Sequence, residues 1–143
     1  MDFLCMGRSQ DRAGRSGTDY FAFADLDPVF DFYTPVIIAN NAFLAEEPET
    51  ARAFLDAVSR GYEFAIEHPR EAGEILCKAA PELDPDLVKA SQEYLADKYQ
   101  ADAPQWGYID QERWDAYYAW LNEKGLTETP IEAGTGCSNE YLP

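Results

Sequence analysis

The stretch DFYTPVIIANNAFLAEEPETARAFLDAVSRGYEFAIEHP, residues 31–69, decides how this chain is read. PVIIA, residues 35–39, is a β-branched apolar run without alternation, the pattern of a strand buried on both faces. Asn40-Asn41 follows as a turn or helix cap. Pro48 stands where a helix can begin, because the first helical position needs no N–H. From there Phe54, Leu55, Val58, Tyr62, Ala65 and Ile66 recur at three- and four-residue spacing and form one apolar stripe. His68-Pro69 closes that helix and opens the next. The stretch therefore predicts a strand, a turn and a long amphipathic helix.

Downstream the pattern stays helical. Ala72, Ile75, Leu76 and Ala79 line a second helix that Pro81 ends. Asp84-Pro85 starts a third, with Asp as cap and Pro in the first turn. Its stripe is Leu87, Val88, Ser91, Leu95 and Tyr99. Asp110 starts a fourth, on which Trp114, Tyr117, Tyr118 and Leu121 share a face, and Gly125 suits its C-cap. Residues 127–143 read as a loop with one short turn. Upstream, residues 1–19 are rich in Arg, Gly and Ser and lack periodicity, so they read as a flexible leader. YFAFA, residues 20–24, suits a short strand, and DLDP after it a turn. The fold class expected is mainly α with one or two short strands.

The chain has 143 residues, enough for one domain, and 46% of them are hydrophobic, enough for a packed core. Its formal charge of −16 repels phosphate backbones and anionic lipid surfaces, which argues against nucleic-acid and direct membrane partners. No segment has the length of a transmembrane helix, and the first residues lack the apolar core of a secretory signal. Cys5, Cys77 and Cys137 are too few and too scattered for a metal cluster or a disulfide framework. Cys77 lies in a helical pattern and reads as an inert thiol, and His68 as a helix boundary. Neither a metal nor a cofactor is expected. Gly134-Thr135-Gly136 lacks the context and the lysine of a phosphate loop.

The aromatics carry more information. Trp114, Tyr117, Tyr118 and Tyr62 lie on helical stripes and read as core. Trp106 precedes a glycine in a loop and reads as packing, with a lid or a ligand stack as the rival role. Trp120 lies off its stripe and is a candidate to face a domain outside this chain. Phe30, Phe32 and Tyr33 stand at the mouth of the expected strand, where aromatics stack on flat heterocycles and Asp31 can accept hydrogen bonds from ring amines.

Residues 31–99, WGYIDQERWDAYYAWLNEKGL and the closing NEYLP resemble the C-terminal part of ABC-transporter substrate-binding proteins of the NMT1/THI5-like group, which handles pyrimidine precursors of thiamine. The string TPVII followed by P-E-x-x-x-x-F-L-x-A-x-x-x-G-Y-x-x-A carries the resemblance, which covers residues 20–143. Residues 1–19 show none. The resemblance implies part of an α/β two-lobed periplasmic-binding-protein fold of type II, closing over a ligand at a hinge. The strand at 34–39 becomes a hinge crossing, and Asp31, Tyr33 and Thr34 become ligand-binding candidates. The parent implied is a periplasmic or cell-surface binding protein and not an enzyme. Its ligand is of the hydroxymethylpyrimidine or formylaminopyrimidine type, its partner is an ABC permease, and it meets the membrane only through that permease. On this reading the chain is an incomplete fragment, lacking the first lobe, most of the second and the export signal. Three alternatives stand beside it: a pyrimidine-precursor synthase of the same fold, a binding protein for a sulfonate or nitrate, and a small helical interaction module acting alone. The cysteine-rich motif of the synthases is absent.

Overall fold

The computed structural model describes residues 21–143. Two 3-10 turns, Phe23–Asp25 and Pro28–Phe30, lead into an irregular extended segment at 31–40. Five helices follow: α1 (Asn41–Glu46), α2 (Pro48–Glu67), α3 (Pro69–Ala79), α4 (Pro85–Leu95) and α5 (Gln111–Glu123). A 3-10 turn, Ala96–Lys98, extends α4.

The helix starts follow from local chemistry. Proline opens α2, α3 and α4, at the position where its missing N–H costs no helical bond. Asn40 Oδ1 accepts from the Ala42 N–H at 2.8 Å and starts α1. Asp84 Oδ1 accepts from the N–H groups of Asp86 and Leu87 and starts α4. Asp110 Oδ1 accepts from the Arg113 N–H at 2.8 Å and starts α5. Each cap satisfies donors that the first turn would otherwise leave orphaned. Gly125 ends α5 with φ of +64°, a left-handed conformation that suits glycine.

α3 and α4 form the tightest pair. Gly73 lies in their interface: a Cβ built on it would be in ordinary contact, 3.5 Å from Val88 Cγ1 and 3.6 Å from Gln92 Cγ. Arg70 Nε donates to Glu93 Oε1 at 2.7 Å across the same pair. Tyr62 of α2 then stacks on Trp106 with centroids 4.4 Å apart and meets Tyr99 edge-on. Trp106 is thus a packing residue over α2. Tyr117 stacks on Phe32 at 4.2 Å, and Trp120 meets Phe30 edge-on at 5.2 Å. The position off the stripe of α5 therefore serves to hold the upstream segment.

The tail folds back by side-chain bonds. Asn139 accepts from the Ile109 N–H at 3.0 Å and donates to the Ile109 carbonyl at 2.8 Å. Asn122 does the same for Ile131. Asp115 accepts from the Gly134 N–H, and Trp114 Nε1 donates to the Thr135 carbonyl. Arg52 of α2 donates to the Glu140 carbonyl.

Two expectations are corrected. Among the described residues there is no strand. The run at 34–39 is extended but unpaired, and Val36, Ile37 and Ile38 are 42%, 53% and 87% exposed. A strand exists only through bonds to a neighbour, and none of the described segments lies beside this one as a strand. In the segment read as a strand at 20–24, residue 20 falls outside the described residues and Phe23–Asp25 forms a 3-10 turn. The expected leader at 1–19 lies outside the described residues. Secondly, the helical stripes are incompletely covered: Phe54, Ile75 and Leu76 are exposed. The buried apolar residues among those described are small ones, Ala51, Val88 and Ala96. Phe54 lines an open cleft, and Ile75 and Leu76 of α3 lie outside its wall.

Candidate functional site

The cleft has a volume of about 1970 Å³, beyond the roughly 300–1,000 Å³ of an ordinary small-molecule pocket. Phe54 and Trp106 line one part of it, Val36 and Ile38 another, and Asp31, Tyr33 and Thr34 all stand in its wall. The three expected ligand residues are thus together in one concave surface.

They are held there by the first turn of α5. Arg113 Nη2 donates to Asp31 Oδ1 at 2.6 Å, and its Nε donates to the Asp31 carbonyl. A guanidinium presents its N–H groups in a planar fork, which suits two acceptors on one residue. The same guanidinium lies over the Tyr33 ring at 4.4 Å from the centroid, a cation–π geometry. Tyr33 Oη in turn accepts from the Asp110 N–H at 2.9 Å. Asp110 therefore caps α5 with its side chain and anchors Tyr33 with its backbone. Thr34 follows directly and joins Pro35 through a cis peptide bond.

The sequence marks Asp110 only as a helix start and does not single out Arg113. Its partner Asp31 lies 82 positions away, and no local spacing signals it. The one available hint was scarcity: the chain has 11 Lys and Arg against 27 Asp and Glu, so each cation has a carboxylate to find.

Among the described residues no group of His, Cys, Asp and Glu is placed to hold a metal ion, and no helix is long and apolar enough to cross a membrane. Cys137 lies beside α5, with Sγ 3.5 Å from Gln111 Oε1. Burial pushes its thiol pKa above the ordinary value, the Gln111 bond works against that shift, and the charge of Asp115 adds to it.

Residues 6–72 match the family model described as NMT1/THI5 like. Over these residues the chain is similar to that family. The matched residues include the segment that carries Asp31, Tyr33 and Thr34, and they begin within residues 1–19. Three curated relatives are similar to this chain. The formylaminopyrimidine-binding protein of Halalkalibacterium halodurans is 30% identical over 102 residues, covering 68% of this chain and 31% of that protein. The riboflavin-binding protein RibY of Chloroflexus aurantiacus is 25% identical over 125 residues, covering 80% of this chain and 34% of that protein. The 4-amino-5-hydroxymethyl-2-methylpyrimidine phosphate synthase of Candida albicans is 38% identical over 116 residues, covering 78% of this chain and 31% of that protein. The chain spans about a third of the length of the curated relatives it matches.

Proposed function

We infer that this chain is part of a solute-binding protein of an ABC importer whose ligand is a pyrimidine precursor of thiamine. The observation that carries the reading is the similarity to a formylaminopyrimidine-binding protein over two thirds of the chain. The riboflavin-binding relative points to the same ligand chemistry, a flat nitrogen heterocycle. The cleft suits it: aromatic rings supply stacking faces, and Asp31, Tyr33 and Thr34 supply polar contacts in its wall. In this reading the helices are one layer of an α/β two-lobed fold, and residues 34–39 pair as the hinge-crossing strand when the sheet is complete. The exposure of Val36, Ile37 and Ile38 supports that completion, since pairing and burial would cover them. The complete protein works at the periplasmic or outer face of the membrane and hands its ligand to a permease.

A second reading is the synthase, favoured by the 38% identity to that relative. One experiment separates the two. The natural polypeptide carrying these residues is titrated calorimetrically with formylaminopyrimidine, hydroxymethylpyrimidine and riboflavin, and assayed for a phosphorylated pyrimidine product. Saturable binding without product supports the binding protein. Product formation replaces it with the synthase, and heat with a sulfonate or nitrate alone moves the ligand to another class.

A further inference from the structure

We propose that Tyr33 and Arg113 form a paired hydrogen-bond donor site in the cleft, taking a neutral carbonyl or ring-nitrogen acceptor on a flat heterocyclic ligand. The inference deepens the function proposed above and rests on it for the kind of ligand.

The argument is one of counting donors and acceptors. A tyrosine hydroxyl offers one proton and lone pairs on its oxygen. The Tyr33 oxygen already accepts from the Asp110 N–H at 2.9 Å, and its own proton meets no acceptor among the described residues. The hydroxyl is therefore fixed in place as an acceptor on one side and remains a donor on the other. Arg113 spends Nε and Nη2 on Asp31. Its remaining nitrogen, Nη1, carries two N–H groups with no acceptor among the described residues. The stack of guanidinium on ring fixes the two donors relative to each other, and both residues stand in the wall of the cleft.

Charge selects the acceptor. Asp31 and Asp110 flank the pair, and the chain carries −16 overall. A carboxylate or phosphate would meet that field, whereas a carbonyl oxygen or an imine-type ring nitrogen would not. Asp31 keeps Oδ2 outside its ion pair with Arg113, so an exocyclic amine beside the carbonyl also finds an acceptor. The site thus distinguishes a formylated aminopyrimidine from its free amine chiefly through the carbonyl.

The test uses the full chain, with the arginine side-chain N–H resonances followed by NMR and affinities by calorimetry. The probes are formylaminopyrimidine, its unformylated amine and, as a carbonyl probe independent of the pyrimidine, benzamide. The variant Tyr33→Phe keeps the ring and its stack on Arg113 and removes the hydroxyl, both as donor and as acceptor of the Asp110 N–H; Arg113→Lys is the second variant. Formylaminopyrimidine and benzamide are expected to shift the Arg113 resonances saturably. Tyr33→Phe should weaken both by about tenfold and the amine by less than about twofold. Arg113→Lys should weaken the carbonyl probes and not restore the fork. Benzamide acting on Arg113 while no pyrimidine binds would keep the donor pair and remove the pyrimidine reading. Formylaminopyrimidine binding without moving the Arg113 resonances, equal losses for formylated and free amine in Tyr33→Phe, or no response to any carbonyl probe at millimolar concentration would each overturn the proposal.

Discussion

The Arg113 guanidinium lies 4.4 Å from the centre of the Tyr33 ring. The pair joins the first turn of α5 to the segment at 31–34, and it sets where the polar end of the cleft stands. Because Arg113 also grips Asp31 by side chain and backbone, three contacts depend on one residue.

Arg113→Met should therefore loosen residues 31–34. Both partners of the ion pair are partly exposed, at 38% and 62%, so solvent screening limits the loss to about 1 kcal/mol. Chemical denaturation measures it. Arg113→Lys should recover less than half of the loss, because an ammonium cannot form the fork or lie flat on the ring.

Asn139→Ala should cost about 1–2 kcal/mol. The substitution strands both the N–H and the carbonyl of Ile109, which Asn139 serves. Hydrogen exchange should show residues 126–143 opening while α3 and α4 stay protected. Uniform loss of protection would mean that the tail is part of the main cooperative unit.

The two helical glycines should respond in opposite ways. Gly61 of α2 has nothing within 4 Å of a built Cβ, so Gly61→Ala should raise stability by about 0.5–1 kcal/mol through helix propensity. Gly73 faces Val88 and Gln92 at ordinary contact distance. Alanine fits there, but Gly73→Leu should prise α3 from α4 and cost about 1–3 kcal/mol. Thermal melts of the two variants check both signs.

The Cys137 thiol should be a slow nucleophile. Its folded pKa is raised, chiefly by burial, so at mildly alkaline pH it stays protonated where an ordinary thiol begins to ionise. Alkylation kinetics between pH 7 and 9 should show its rate lagging behind that of the unfolded chain. The raised folded pKa also makes a small stability contribution, present below the unfolded thiol's pKa and lost as pH rises through the folded one.

How much of this was legible depended on the range of the signal. Helix starts were readable because caps and first-turn prolines act within a few residues, as at Asn40, Asp84 and Asp110. Asp31, Tyr33 and Thr34 could be placed near one another because they adjoin in sequence. The strand expected at 34–39 is not formed among the described residues: no charged residue interrupts 32–45, but pairing is a property of a neighbour, and the described chain supplies none. Arg113 escaped for a related reason. Its partner at 31 is remote in sequence, and neither residue announces the other.

The central claim is that this cleft serves a flat pyrimidine ligand. Its most direct measurement is calorimetric titration of formylaminopyrimidine into the natural polypeptide that carries these residues, with Tyr33→Phe alongside. The account predicts saturable binding that weakens about tenfold in the variant. No heat with formylaminopyrimidine, hydroxymethylpyrimidine or riboflavin, against clear binding of a sulfonate or nitrate, would contradict it.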